Sequence, residues 1–163
     1  MPISVASTDP GRSPVPARAR ARLVAYAARV LKREGVTRPA VTIVLGDDPL
    51  LRSLYARYKQ RDRATDVLSF TYDDIRGPRG RALEGEIYVS RERLFAQAKR
   101  YRHAPGEELL RLVTHGLLHL CGHDHMKPGE RRVMRAAERV VMREDCTPGD
   151  RGAFATAAEA VAP

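Results

Sequence analysis

The chain has 163 residues, 43% of them hydrophobic and 30% charged, a composition typical of one soluble globular domain. No apolar run reaches the roughly 18 residues of a membrane span, the N-terminus lacks the pattern of a secretory signal, and two cysteines are too few for a disulfide framework, so we expect a cytoplasmic protein without membrane partners. The net charge of +9 is concentrated in residues 1–63, which suits a nucleic-acid partner, although an arginine-rich solvated surface would give the same charge.

The first half of the chain is predicted to alternate between strands and helices. A weak edge strand at Ile3–Ala6 precedes an amphipathic helix at Ala17–Glu34. The apolar segment 40–46 predicts a buried strand, and 47–60 predicts a helix with an acidic cap and a proline in its first turn. Two short strands follow at 65–72 and 85–90, separated by a Gly- and Pro-containing loop at 73–84.

The second half is predicted to be helical. Segment 90–101 is a helix capped by Ser90, and the helix that ends near Cys121 is apolar around most of its circumference, which indicates a central, buried position. A last amphipathic helix is expected at 128–145. We therefore predict a layered single domain at 1–146 that combines a sheet with helices, followed by a disordered tail at 147–163.

Four of the five histidines lie in the segment THGLLHLCGHDH, residues 114–125. His115 and His119 are four residues apart, so on a helix their rings project from one face and can reach one metal ion. Gly122 can end that helix and turn the chain back, after which either His123 or His125 could be the third ligand. The spacing of metzincin-type zinc sites favours His125. Three histidines leave a coordination position open, which indicates a catalytic rather than a structural ion.

The residue after the first histidine is Gly116, where a zinc protease of this spacing carries its catalytic glutamate. Glycine inside a helix costs about 1 kcal/mol relative to alanine, so close packing or clearance for a bulky substrate explains it better than helix stability does. Three neutral imidazoles also leave the charge of the ion uncompensated, which suits an anionic, phosphate-bearing substrate. The sequence thus favours phosphodiester cleavage over peptide hydrolysis.

The histidine segment, together with TDVLSF at 65–70 and GEIYVS at 85–90, resembles the YbeY family of endoribonucleases, also called rRNA maturation factors. The resemblance runs from about Val41 to about Met142. It implies a zincin-like α+β fold, in which about five helices pack on a mixed four-stranded sheet and a central buried helix carries the metal ligands. It also implies a zinc-dependent, single-strand-specific endoribonuclease that acts on rRNA and the ribosome, in maturation of the small-subunit rRNA 3′ end and in ribosome quality control.

The resemblance assigns one zinc ion to His115, His119 and His125. Nickel or another divalent ion that binds imidazole is an open alternative. Asp124 is either a partner that orients a ligand histidine or an ordinary turn residue.

Catalytic and RNA-binding roles are also implied residue by residue. Lys59 stands where the family has an arginine that contacts the scissile phosphate, so it is expected to act as a point charge without the bidentate fork. Arg57 or Arg61 could take that role instead. His123 occupies a position where the family often has tyrosine, and it is a candidate proton shuttle or a space-filling residue. Arg57, Arg61 and Arg63 are expected to contact RNA.

Two other functions stay open at this point. A zinc peptidase or amidohydrolase would need a base from elsewhere in the chain, and Glu86 is the candidate. A non-catalytic ribosome-assembly protein would use the metal only for structure.

Overall fold

The chain folds into one four-stranded sheet and six helices within residues 3–8, 14–59, 66–123 and 127–162, the parts that the computed structural model describes. The strands are Ile3–Ser7 (β1), Val36–Gly46 (β2), Val67–Gly77 (β3) and Gly80–Ser90 (β4). The helices are Ala17–Arg33 (α1), Asp48–Lys59 (α2), Arg91–Tyr101 (α3), Pro105–Leu120 (α4), Pro128–Glu144 (α5) and Pro148–Ala160 (α6). Among the described residues, no helix is long and apolar enough to cross a bilayer.

The sheet is mixed, as predicted, with the strand order β1-β2-β4-β3. Strands β1, β2 and β4 run parallel, and the edge strand β3 pairs antiparallel with β4. Strand β2 lies between two neighbours, which explains its continuous apolar run. Val41, Ile43 and Leu45 join the main core on one face, whereas Val44 is buried on the other. The α+β class predicted from the sequence is confirmed.

Helix α4 is the central buried helix that its sequence predicted. It packs on β3 and β4 and also contacts α1, α3, α5 and α6, so almost every side of it is covered. Its fully buried apolar residues include Leu109, Leu110, Val113, Leu117 and Leu118. The one buried hydroxyl on this helix, Thr114 Oγ1, lies 2.6 Å from Tyr26 Oη of α1, which satisfies both groups without water. The rigid packing of α4 fixes the position of its two histidines.

The Gly- and Pro-containing segment at 73–84 was predicted as a loop, and that prediction is wrong. Strands β3 and β4 continue through it as a long hairpin, and only Pro78 and Arg79 form the turn. Arg81 stabilises the hairpin, since its Nε and Nη2 each lie 2.8 Å from a carboxylate oxygen of Asp74. That ion pair lowers the pKa of Asp74. Glycine and proline therefore mark the turn itself and do not interrupt the strands beside it.

The disorder predicted from residue 147 onward is not observed, because residues 148–160 form helix α6. Thr147 Oγ1 accepts a hydrogen bond from Asp150 N at 3.1 Å, and the Asp150 carboxylate accepts one from Thr147 N at 2.9 Å. This capping box starts the helix, and Phe154 then anchors it with a fully buried ring 5.4 Å from that of Tyr26, edge to face. Helix α6 is therefore part of the core around α1 and α4.

Candidate metal centre

His115 and His119 lie one turn apart on α4, with ring centroids 6.1 Å apart. The neighbouring residues Gly116 and Leu120 face the sheet, since Gly116 lies against Ile87 and Leu120 lies against Gly85. The two histidines are each rotated by about 100° from these positions on the helix, towards α5. Both rings are only partly exposed. The helical pair predicted from the sequence is thus present on one face of the buried helix.

The ring of His115 is held by a carboxylate from α5, because His115 Nδ1 lies 2.5 Å from Glu138 Oε1. A carboxylate accepts, so Nδ1 donates, and the lone pair of the imidazole is at Nε2. Histidines that bind metals commonly donate their second ring nitrogen to a carboxylate in this way. The donor chemistry at His115 therefore fits a metal ligand.

Glu138 was missed by the sequence reasoning, although the sequence carried a signal. It lies four residues after Met134 and three before Val141, on the buried stripe of α5, and it is itself buried. A glutamate in such a position requires a partner. That partner is His115.

Gly122 ends α4 as predicted. It has a φ of +103°, a conformation that favours glycine. The amide of Gly122 donates to His119 O and the amide of His123 donates to Leu118 O, both at 3.1 Å, which is the Schellman arrangement. After this turn, His123 Nε2 lies 2.8 Å from Glu34 Oε1 at the end of α1.

The third candidate ligand, His125, and its neighbour Asp124 lie outside the described residues. Within the described ranges, no three His, Cys, Asp or Glu side chains are grouped so that they could hold a metal ion. Cys121 lies in the core beneath the turn, where burial raises the pKa of its thiol to about 12, so this thiol is neutral at physiological pH. His115 and His119 are thus the two predicted ligands that the structure brings together.

Glu86, the base that a peptidase would need, lies on the other face of the sheet from α4. Its neighbours Gly85 and Ile87 face α4, and successive side chains of a strand point to opposite faces. The Glu86 carboxylate instead accepts hydrogen bonds from Tyr72 Oη, at 3.1 Å, and from Tyr88 Oη. Glu86 is therefore not placed to act as a base beside His115 and His119, and the peptidase alternative has lost its candidate base.

Comparison with known proteins assigns the family. The sequence profile described as endoribonuclease YbeY matches residues 12–144. The chain belongs to this family. An endoribonuclease YbeY from Listeria monocytogenes is 34% identical over 74% of this chain and 80% of its own length, and one from a Roseiflexus species is 41% identical over 69% and 75%. The solution structure of a Thermotoga maritima protein matches with a TM-score of 0.53 at 24% identity, covering 87% of this chain and 90% of that one, which supports the fold.

The basic residues predicted to bind or act on RNA stand in the sequence at the end of α2 and directly after it. The ring of Tyr58 packs edge to face on Phe70 of β3, with centroids 5.2 Å apart, and the guanidinium of Arg57 lies 5.5 Å from the Tyr58 ring centre. Lys59 is the last residue of α2, and its side chain is outside the described part, as are Arg61 and Arg63. Their catalytic and RNA-binding roles stay predictions, and so does that of His123.

Gly116 is explained by close packing of α4 on the sheet in this YbeY protein. A Cβ at this position would lie 2.7 Å from Ile87 Cγ2 and 3.2 Å from Ser69 Oγ. Ser69 Oγ also donates a hydrogen bond to the Gly116 carbonyl at 3.2 Å. The glycine lets α4 approach β3 and β4 closely.

We predict that Gly116→Ala destabilises the protein by about 1 to 3 kcal/mol, because the added methyl group overpacks a rigid contact. Gly152→Ala is the matched control, since a Cβ at Gly152, also inside a helix, would meet no atom within 4 Å. That control should gain up to about 1 kcal/mol from helix propensity. Denaturant unfolding measures both, and equal changes would contradict the close-packing explanation.

Glu138→Gln should weaken zinc binding by about 10- to 100-fold, the usual effect of losing a carboxylate that orients a ligand histidine. Glutamine has the same shape but lacks the charge that fixes the His115 tautomer. Glu144→Gln is the control on the same helix, because Glu144 pairs with Arg33 on the surface. Competition with a chelator measures the affinities, and similar values for the two variants would show that Glu138 has no such role.

Proposed function

We propose that this protein is a zinc-dependent endoribonuclease that cleaves single-stranded RNA. Its substrate is rRNA on or from the ribosome, in maturation of the small-subunit 3′ end and in ribosome quality control, and it acts in the cytoplasm. The single observation that carries the proposal is the pair His115 and His119 on α4, with Glu138 behind His115, in a chain that belongs to the endoribonuclease YbeY family.

His115, His119 and His125 would hold the zinc ion as neutral imidazoles. A zinc ion there would act as a Lewis acid towards a phosphodiester and would generate a nucleophile from water near neutral pH. Glu138 keeps His115 in the tautomer that presents Nε2. The buried position of Glu138 keeps this interaction strong, because solvent screens it little.

We attribute the selection of RNA to two features, the positive charge expected at the scissile phosphate and the absence of a carboxylate on α4 next to His115. Gly116 replaces the glutamate of a zinc protease, and its position is filled by contact with Ile87. No acidic group of α4 therefore stands beside His115 on that side to repel a phosphate. Lys59 is the candidate for charge stabilisation at the scissile phosphate.

Incubation with single-stranded RNA and with casein, each with and without a chelator, tests this function. RNA cleavage that is lost on chelation supports the proposal. Casein cleavage would instead establish a peptidase, and RNA binding without any cleavage would establish an assembly protein with a structural metal.

A further inference from the structure

A cleft of about 230 Å³ lies beside the candidate metal centre, between α4 and α5. Its lining residues are Arg111, His115, Arg131, Met134, Arg135 and Glu138. Three guanidinium groups therefore share a small space with one predicted zinc ligand. Among the described residues that line the cleft, the only carboxylate belongs to Glu138, which is engaged by His115 Nδ1. The other charged side chains of this described lining are arginines.

Arg111 is fixed in position by its neighbours on the protein side. Its Nη2 donates to Oε1 of the fully buried Glu108 at 2.5 Å and to Gln97 Oε1 at 3.2 Å, and its Nε donates to Glu108 at 3.2 Å. Among the described residues, Nη1 of Arg111 has no hydrogen-bond partner. The Nε and Nη2 groups of Arg111 are thus held in position, while Nη1 can still donate a hydrogen bond to a ligand. Arg111 lies one turn before His115 on the same helix.

Helix α5 presents a row of arginines along the same side. Arg131, Arg135 and Arg139 follow one another at four-residue spacing, and with Arg132 they line a second, continuous surface hollow of about 380 Å³. Within the described ranges, no carboxylate lies within ion-pair distance of Arg132, Arg135 or Arg139. Like charges at this spacing repel each other on a helix. Arg135 and Arg139 therefore gain no ion-pair stabilisation from the described residues, and an external anion would relieve their mutual repulsion.

We propose that Arg111, Arg131 and Arg135 form a phosphate subsite for the RNA backbone, a role that rests on the proposed function. Guanidinium groups bind two phosphate oxygens at once, which makes arginine suited to this contact. Because the cleft opens beside His115, the subsite holds a phosphate next to the one at the metal centre. Arg132 extends this surface on the first turns of α5.

The test compares Arg135→Gln with Arg143→Gln in the zinc-loaded protein. Both changes remove one positive charge from α5 and keep a good helix former, but Arg143 is highly exposed near the other end of the helix, where its nearest carboxylate is Glu144 at 3.9 Å. The probe is a nuclease-resistant, single-stranded 2′-O-methyl RNA oligonucleotide, and its affinity is measured by fluorescence anisotropy over a range of salt concentrations. Zinc content and unfolding midpoints are measured alongside.

Arg135→Gln should flatten the log–log dependence of affinity on salt by about 0.7, the value for one phosphate contact with a single strand. Arg143→Gln should leave the slope as in the wild type, and both variants should keep their zinc. Equal slopes in the two variants, with normal RNA binding by the wild type, would overturn the subsite and leave the proposed function intact. Absence of RNA binding by the wild type would overturn the proposed function, and the subsite with it.

Discussion

We expect His119→Ala to lose both its zinc and its RNA cleavage and to retain its fold. His119 is one of the two predicted ligands that α4 brings to one face, and removing a ligand from a three-histidine site releases the ion, because the remaining side chains bind it too weakly. Alanine is the best helix former, so the substitution does not disturb α4. Elemental analysis of the purified variant and cleavage of single-stranded RNA measure the two losses.

Two further variants control this result. His103→Ala removes the one histidine outside the motif, which pairs with Glu108, and it should keep full zinc content. His123→Phe should also keep its metal. Zinc at wild-type stoichiometry in His119→Ala would contradict the ligand assignment, and loss of zinc in His123→Phe together with its retention in His125→Ala would make His123 the third ligand.

Lys59→Ala should reduce RNA cleavage by about 10² to 10³, the usual loss when one preorganised electrostatic contact to the transition state is removed. Its zinc content and its fold should be those of the wild type, because Lys59 is the last residue of α2 and is not one of the predicted ligands. Lys59→Arg should keep or raise activity, since a guanidinium can bond two phosphate oxygens. Single-turnover cleavage rates measure these effects.

Arg57→Ala is the comparison for Lys59. Arg57 lies over the ring of Tyr58, and its predicted role is to contact RNA, so its removal should weaken RNA binding but lower the cleavage rate of bound RNA less than Lys59→Ala does. Near-normal cleavage by Lys59→Ala, combined with a large loss in Arg57→Ala or Arg61→Ala, would transfer the role to that arginine.

The parts of the fold that the sequence predicted well are those with a local cause. Helix α4 could be recognised because its apolar residues surround it, and its end could be placed because Gly122 alone can take the positive φ of that turn. The pairing of His115 with His119 follows from helical spacing. These features need no knowledge of distant residues.

The parts that were missed depend on contacts distant in sequence. The long β3–β4 hairpin is stabilised by Arg81, which bonds Asp74 and also reaches the carbonyls of Glu34 and Cys121. The N-cap of helix α6 at Thr147 could have been predicted from the sequence. The helix is stabilised, however, by the contact of Phe154 with Tyr26, 128 residues earlier.

The candidate site shows the same division. The histidine pair on α4 was predicted from its spacing, whereas Glu138 could be paired with His115 only once α5 was placed against α4. The reason for Gly116 likewise became clear only from the position of Ile87 on β4.

Reconstitution of the metal-free protein with zinc tests the central claim most directly. The chelated wild-type protein is titrated with zinc, and the cleavage of single-stranded RNA is followed in parallel with His119→Ala. We predict that cleavage returns in proportion to the zinc added, that it levels off near one equivalent per chain, and that His119→Ala gains no activity at any point. Cleavage by the wild type that is unaffected by chelation, or equal recovery by His119→Ala, would contradict an endoribonuclease centred on the histidines of α4.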